Sequence, residues 1–154
     1  MALQLSPQVA EILKKAAGEK DVEEYILTLL AERLDPPQRV EAYLALHEKY
    51  LGEAEELYRR GDLAQAGEKY WGAVAALLDA TAEKRGWEHY SHRDYNMIVG
   101  RLYKESGDKE LLTAFGMAER LHANLYHSFM DKEIFEAHRE EALKLVEKLK
   151  RYAT

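Results

Sequence analysis

Apolar residues in this chain recur at three- and four-residue intervals in seven separate runs, and each run is bracketed by Ser, Asp, Pro or Gly. That spacing is the signature of amphipathic helices, since residues three and four apart share a helical face. No stretch alternates apolar and polar residues between hairpin-type turns, so the chain reads as helical throughout.

The brackets place the helices. Ser6-Pro7 opens the first, with Ser6 as cap and Pro7 in the first turn, where a missing N–H costs nothing. Its expected apolar face is Val9, Ile12, Leu13 and Ala16, and Gly18 closes it. Asp21 caps a second, with Glu24 three residues on, expected to bury Tyr25, Ile26, Leu29, Leu30 and Leu34 before Asp35-Pro36-Pro37 stops it. A long third helix runs from about Gln38 to Arg60, through Val40, Tyr43, Leu44, Leu46, His47, Leu51, Ala54, Leu57 and Tyr58. Gly61 ends it and Asp62 caps the fourth, the most apolar and therefore the expected central helix, which closes at Gly86. A fifth starts at Ser91 and ends at Gly107. Asp108 begins a sixth carrying Leu111, Leu112, Phe115, Ala118, Leu121, Leu125 and Phe129. Asp131 caps a seventh with Ile134, Phe135, His138, Ala142, Leu145, Val146 and Leu149. The expected architecture is one all-α domain over residues 1–154, with a helical hairpin at 1–35 and an antiparallel bundle of about five core helices at 36–154.

Composition narrows the chemistry. The chain has no cysteine, which excludes disulfides, thiolate nucleophiles and Cys-ligated zinc and suits a reducing compartment. A net charge of −6 argues against a broadly basic nucleic-acid surface but leaves room for a local patch. The opening MALQLSPQVAEILKK lacks the basic start and continuous apolar run of a secretory leader, and no stretch approaches the ~20 apolar residues that span a bilayer. A cytoplasmic protein without membrane contact is expected.

Two stretches resemble a known family. One is Glu53-Ala54-Glu55-Glu56-Leu57 followed by Gly61-Asp62-Leu63-Ala64-Gln65-Ala66-Gly67-Glu68-Lys69-Tyr70-Trp71-Gly72-Ala73; the other is Ala118-Glu119-Arg120-Leu121-His122-Ala123-Asn124-Leu125-Tyr126. With Asp35-Pro36, Lys84-Arg85-Gly86 and Ser91-His92, they resemble the archaeal PaREP family, a branch of the HEPN-type helical bundles. The resemblance implies a HEPN-like bundle and a homodimer. The first stretch also resembles one tetratricopeptide unit, through Ala54, Leu57, Tyr58, Gly61-Asp62, Ala66, Tyr70 and Ala73, which would make the chain a protein-interaction module. Such arrays need about three stacked units, and only a faint echo follows at Gly107-Asp108 with Ala114 and Ala118.

HEPN nucleases cut RNA without metal, using a closely spaced Arg and His paired across a dimer; His moves protons near neutral pH and Arg stabilises the charged phosphorane. Arg120 and His127 stand two helical turns apart on one face of the sixth helix and are the catalytic candidates. Their spacing is weakly specific, because ten arginines and six histidines supply about one such pair by chance. A second set points to binding instead. His122 and Tyr126 share a face, and Glu68, Lys69 and Trp71 on the fourth helix together with His92 on the fifth could meet them to line a polar pocket, or else a buried network fixing helix register.

No metal or other cofactor is expected. His89, His92 and Asp94 are ligand types, but they straddle a helix start without a matching second pair. Glu119-Arg120-Leu121-His122 supplies one half of a di-iron pattern whose other half is missing. Two functions therefore stand: a non-catalytic module binding a nucleotide, nucleic acid or protein partner, and a metal-independent ribonuclease.

Overall fold

The computed structural model describes residues 2–154. It is helical, with no strand among the described residues. The helices are α1 (Pro7–Ala17), α2 (Val22–Leu30), α3 (Pro36–Arg59), α4 (Leu63–Arg85), α5 (His92–Ser106), α6 (Glu110–His127) and α7 (Lys132–Ala153), with a 3-10 turn at Ala31–Arg33. None is long and apolar enough to cross a membrane. One compact unit runs to Asp35 and the other is Pro36–Thr154.

Local chemistry sets the boundaries. Ser6, Asp21, Asp62, Ser91 and Asp131 each accept a hydrogen bond from a backbone N–H in the first turn that follows, satisfying donors that the helix itself leaves orphaned. At Ser91 the bond is reciprocal, since Asp94 accepts from the Ser91 N–H. The α3 boundary falls earlier than the expected Gln38: Pro36 and Pro37, read as the stop after α2, form the first turn of α3, because fixed φ suits a helix start. Helix α6 begins at Glu110, with Asp108 accepting from the Glu110 N–H just ahead of it. Gly86 and Gly107 end α4 and α5 in the left-handed region, where a side chain would be strained.

In the first unit the expected burial is only partial, with Leu13, Tyr25, Ile26 and Leu34 half-buried. Val9, Ile12, Leu29 and Leu30 are exposed, and α2 has no buried residue. Two short helices can cover each other along only one seam, and some thirty residues cannot enclose a core.

The second unit is built round α4, which packs against α3, α5, α6 and α7 and buries residues on every side. Tyr70, Val74, Leu77 and Leu78 meet Ile98 and Leu102 of α5, Leu111 and Leu121 of α6, and Phe135, Leu145 and Leu149 of α7 in one apolar cluster. Small residues permit the close approach: Ala54, Ala66 and Ala73 are fully buried, and the Cα of Gly67 faces Phe135 and Leu121. Leu112, Phe129 and Ile134, expected in the core from their periodicity, are exposed. Leu112 and Ile134 lie at the edges of their helical stripes, and Phe129 lies past the end of α6.

Candidate functional site

Helices α4, α5 and α6 bring an indole and two imidazoles together. Trp71, 6% exposed, is flanked by His92, with ring centroids 5.4 Å apart and planes 25° from parallel, and by His122, 5.8 Å away at 31°. Each imidazole is held by a carboxylate from another helix. His122 Nδ1 donates to Glu68 at 2.6 Å, and His92 Nε2 donates to Glu119. Tyr126 meets the edge of His122, ring centroids 5.5 Å apart, at the solvent side. Tyr95 and Phe115 close the inner side of the indole.

The geometry follows from helical spacing. Glu68 and Trp71 are three residues apart on α4, and Phe115, Glu119, His122 and Tyr126 form one face of α6. Ser91 caps α5 so that His92 emerges in its first turn, beside Trp71. Burial pushes the Glu68 carboxyl above its ordinary range, against the opposing pull of the His122 imidazole. The side chains of His122 and His92 are 34% and 49% exposed. His122 Nε2 and His92 Nδ1 have no hydrogen-bond partner among the described residues. Two oriented ring nitrogens are thus left without a protein partner, above an apolar floor.

Of the residues proposed for binding, Glu68, Trp71, His92, His122 and Tyr126 meet. Lys69 does not join them; it pairs with Glu53 at 2.7 Å and lies over the Tyr50 ring on the α3 side. One residue along a helix is about 100° round its axis, so Glu68 and Lys69 face different neighbours. Glu119, Tyr95 and Phe115 were missed as members. The α6 face was readable in the heptad-like spacing, but nothing in sequence pairs Glu119 with a residue 27 positions away.

Arg120 and His127 are both exposed, on the outer part of α6. Arg120 lies over the Phe129 ring at 5.2 Å, and His127 is the last residue of the helix. Ser128 follows in the left-handed conformation, φ 46°.

His89, His92 and Asp94 diverge. His92 joins Trp71, Asp94 caps α5, and His89 turns inward, where Nδ1 donates to Asp79 and Nε2 to Glu83. Arg39 completes this buried group by donating to Glu83 at 2.8 Å, and Tyr95 donates to Asp79 at 3.2 Å. Among the described residues no three His, Asp or Glu side chains converge to hold a metal ion.

In comparison with known families, residues 42–146 match the model of the archaeal PaREP1/PaREP8 family. No curated protein and no solved structure matches the chain. The matched segment runs from within α3 to within α7 and contains the whole Trp71 cluster.

Proposed function

The chain belongs to the archaeal PaREP1/PaREP8 family, and from that premise we propose that it is a ligand-binding module, built as a HEPN-like bundle, with its site at the Trp71 cluster. One observation supports the reading above the others: His92 and His122, from two helices, are each held by a carboxylate while a second ring nitrogen stays available. A network serving only helix register would pair both nitrogens of each ring within the protein, since fully satisfied networks are the ones that fix register and an unpaired buried polar atom is costly. The ligand, a nucleotide, a nucleic acid or a protein segment, presents a hydrogen-bonding group to the imidazoles and an apolar surface to Tyr126 and the Trp71 edge. The lack of cysteine favours a cytoplasmic setting, and the HEPN-like resemblance favours a homodimer.

Imidazole nitrogen spectra test the site directly. Titration with nucleotides, short single-stranded RNA and candidate peptides should shift the His92 and His122 resonances in the same additions, and His122→Ala should abolish the His92 response. Saturating additions that leave both imidazoles unmoved would remove the reading.

A metal-independent ribonuclease is the second reading, favoured by one observation: Arg120 and His127 are both solvent-accessible on α6. In that reading two protomers bring their His127 side chains to one composite cleft, where imidazole handles the proton and guanidinium the phosphorane charge.

A further inference from the structure

The loop from α4 to α5 and the outer face of α5 line an open groove of about 950 Å³ whose walls include Trp87, Tyr90, Arg93, Met97 and Arg101. Its size falls at the top of the ~300–1,000 Å³ range of small-ligand sites. Arg93, Met97 and Arg101 follow a four-residue spacing on α5, so they form one stripe, and Tyr90, just ahead of the Ser91 cap, lines the same wall. That stripe faces away from the side of α5 on which His92 and Tyr95 meet Trp71.

This wall is unusual in two respects. Tyr90 is 83% exposed, although an aromatic ring gains by burial. Acidic residues outnumber basic ones 28 to 22, and Arg39, Arg85 and Arg139 are paired with Glu83, Glu105 and Glu55. Arg93 and Arg101, in contrast, have no carboxylate partner among the described residues. Arg101 instead lies over the Trp87 ring at 5.0 Å, which holds its guanidinium at the groove wall. Two acids, Glu88 and Asp94, share the wall, but neither forms an ion pair with these arginines: Asp94 accepts from the backbone N–H groups of Tyr90 and Ser91 at 2.9 and 3.1 Å in the α5 cap, so the guanidinium donors stay available.

We propose that this groove is a second binding site, for a ligand that joins a flat ring to a phosphate. The ring stacks on Tyr90, and the phosphate is held by the guanidinium groups of Arg93 and Arg101, whose planar donor pairs match phosphate oxygens. A free nucleotide and a nucleotide within a single strand both carry this chemistry. The site does not depend on the Trp71 cluster.

Calorimetric titration of the full chain with AMP and with a short oligoadenylate separates the sources. AMP binding identifies a free-nucleotide site; binding of the oligoadenylate alone identifies a strand site. Tyr90→Ala, and separately the double variant Arg93→Ala/Arg101→Ala, should each weaken binding about tenfold or more. Adenosine and ribose 5-phosphate, each with half the chemistry, should bind more weakly than AMP, and the same Tyr90 and arginine variants made in a His122→Ala background, where the Trp71 cluster is disabled, isolate binding at this site. Because these side chains lie at the surface, the variants should melt with wild type, and a melt alongside each titration checks this. The proposal is overturned if folded wild type binds neither probe, if both variants bind as tightly as wild type, or if only His122→Ala loses binding.

Discussion

His89 donates from Nδ1 to Asp79 Oδ1 across 2.9 Å, inside the protein, while its other ring nitrogen reaches Glu83 at 2.7 Å. Burial opposes a charged imidazole here, but the two carboxylates outweigh it and hold the His89 pKa above its ordinary value. Burial likewise opposes ionised Glu83, yet Arg39 and His89 hold its carboxyl below the usual range.

A pH dependence follows from those directions. With the folded pKa raised, the contribution of His89 is complete below about pH 6.5, the unfolded value, and declines as pH rises through the folded pKa. The contribution of Glu83 is complete above about pH 4.3 and is lost as pH falls through its depressed folded pKa. Removal of one partner from a buried ionic group costs about 3–5 kcal/mol, so His89→Gln should destabilise by that order near pH 6 and by less at alkaline pH. Urea unfolding of both proteins across pH 5–9 measures it; a constant difference over that range would contradict the account.

His47 should behave with the opposite sign. It is buried on α3, donates to the Ala73 carbonyl at 2.8 Å, and has an unpartnered Nε2. Burial lowers its pKa, so the folded protein binds the proton less readily than the unfolded chain. Stability is then lost as pH falls below about 6.5. In His47→Gln that part of the acid sensitivity should disappear, which the same unfolding series with the variant would reveal.

Arg139 on α7 donates to the Tyr70 hydroxyl at 2.7 Å and to Glu55 at 2.9 Å, and lies 3.9 Å from the Tyr58 ring centroid. Lysine cannot reproduce a planar group that stacks and forks at once. Arg139→Lys should cost about 1–3 kcal/mol, the scale of a hydrogen bond to a charged group. A thermal melt indistinguishable from wild type would show the network to be dispensable.

Two glycine substitutions should have opposite effects. A Cβ at Gly67 would sit 3.2 Å from Phe135 and 3.4 Å from the Leu121 carbonyl oxygen, both in the packed core, whereas one at Gly52 meets nothing within 4 Å. Gly67→Ala should lose about 1–3 kcal/mol to overpacking, reduced by the better helix propensity of Ala. Gly52→Ala should gain about 0.5–1 kcal/mol. Chemical denaturation that ranked the pair the other way would refute the packing argument.

Mixed single-stranded RNA incubated in EDTA decides between the two functional readings. The binding module leaves the RNA intact. Cleavage that survives chelation and vanishes in His127→Ala, but not in His122→Ala, would instead establish the composite nuclease site.

Much of the fold was legible because its signals are local. Caps at Ser6, Asp21, Asp62, Ser91 and Asp131 act within three residues of themselves, and all five were readable from residue type and position. The family resemblance, carried by the stretches at Glu53–Ala73 and Ala118–Tyr126, agrees with the family match over residues 42–146. Periodicity failed in a consistent way. It states which residues share a face, not what that face meets, so Ile12, Leu29, Leu112 and Ile134 read as core and are exposed.

The sequence by itself determined the helices, most of their ends and the central place of α4, because backbone hydrogen bonds and caps form between residues a few positions apart. It also placed Glu68, Trp71, His92, His122 and Tyr126 on faces able to meet. Only the tertiary structure decided that His92 takes Glu119, that His89 turns in to Asp79, and that Lys69 leaves for Glu53. Those choices depend on how each helix is rotated against its neighbours, which is settled by packing the whole apolar cluster at once.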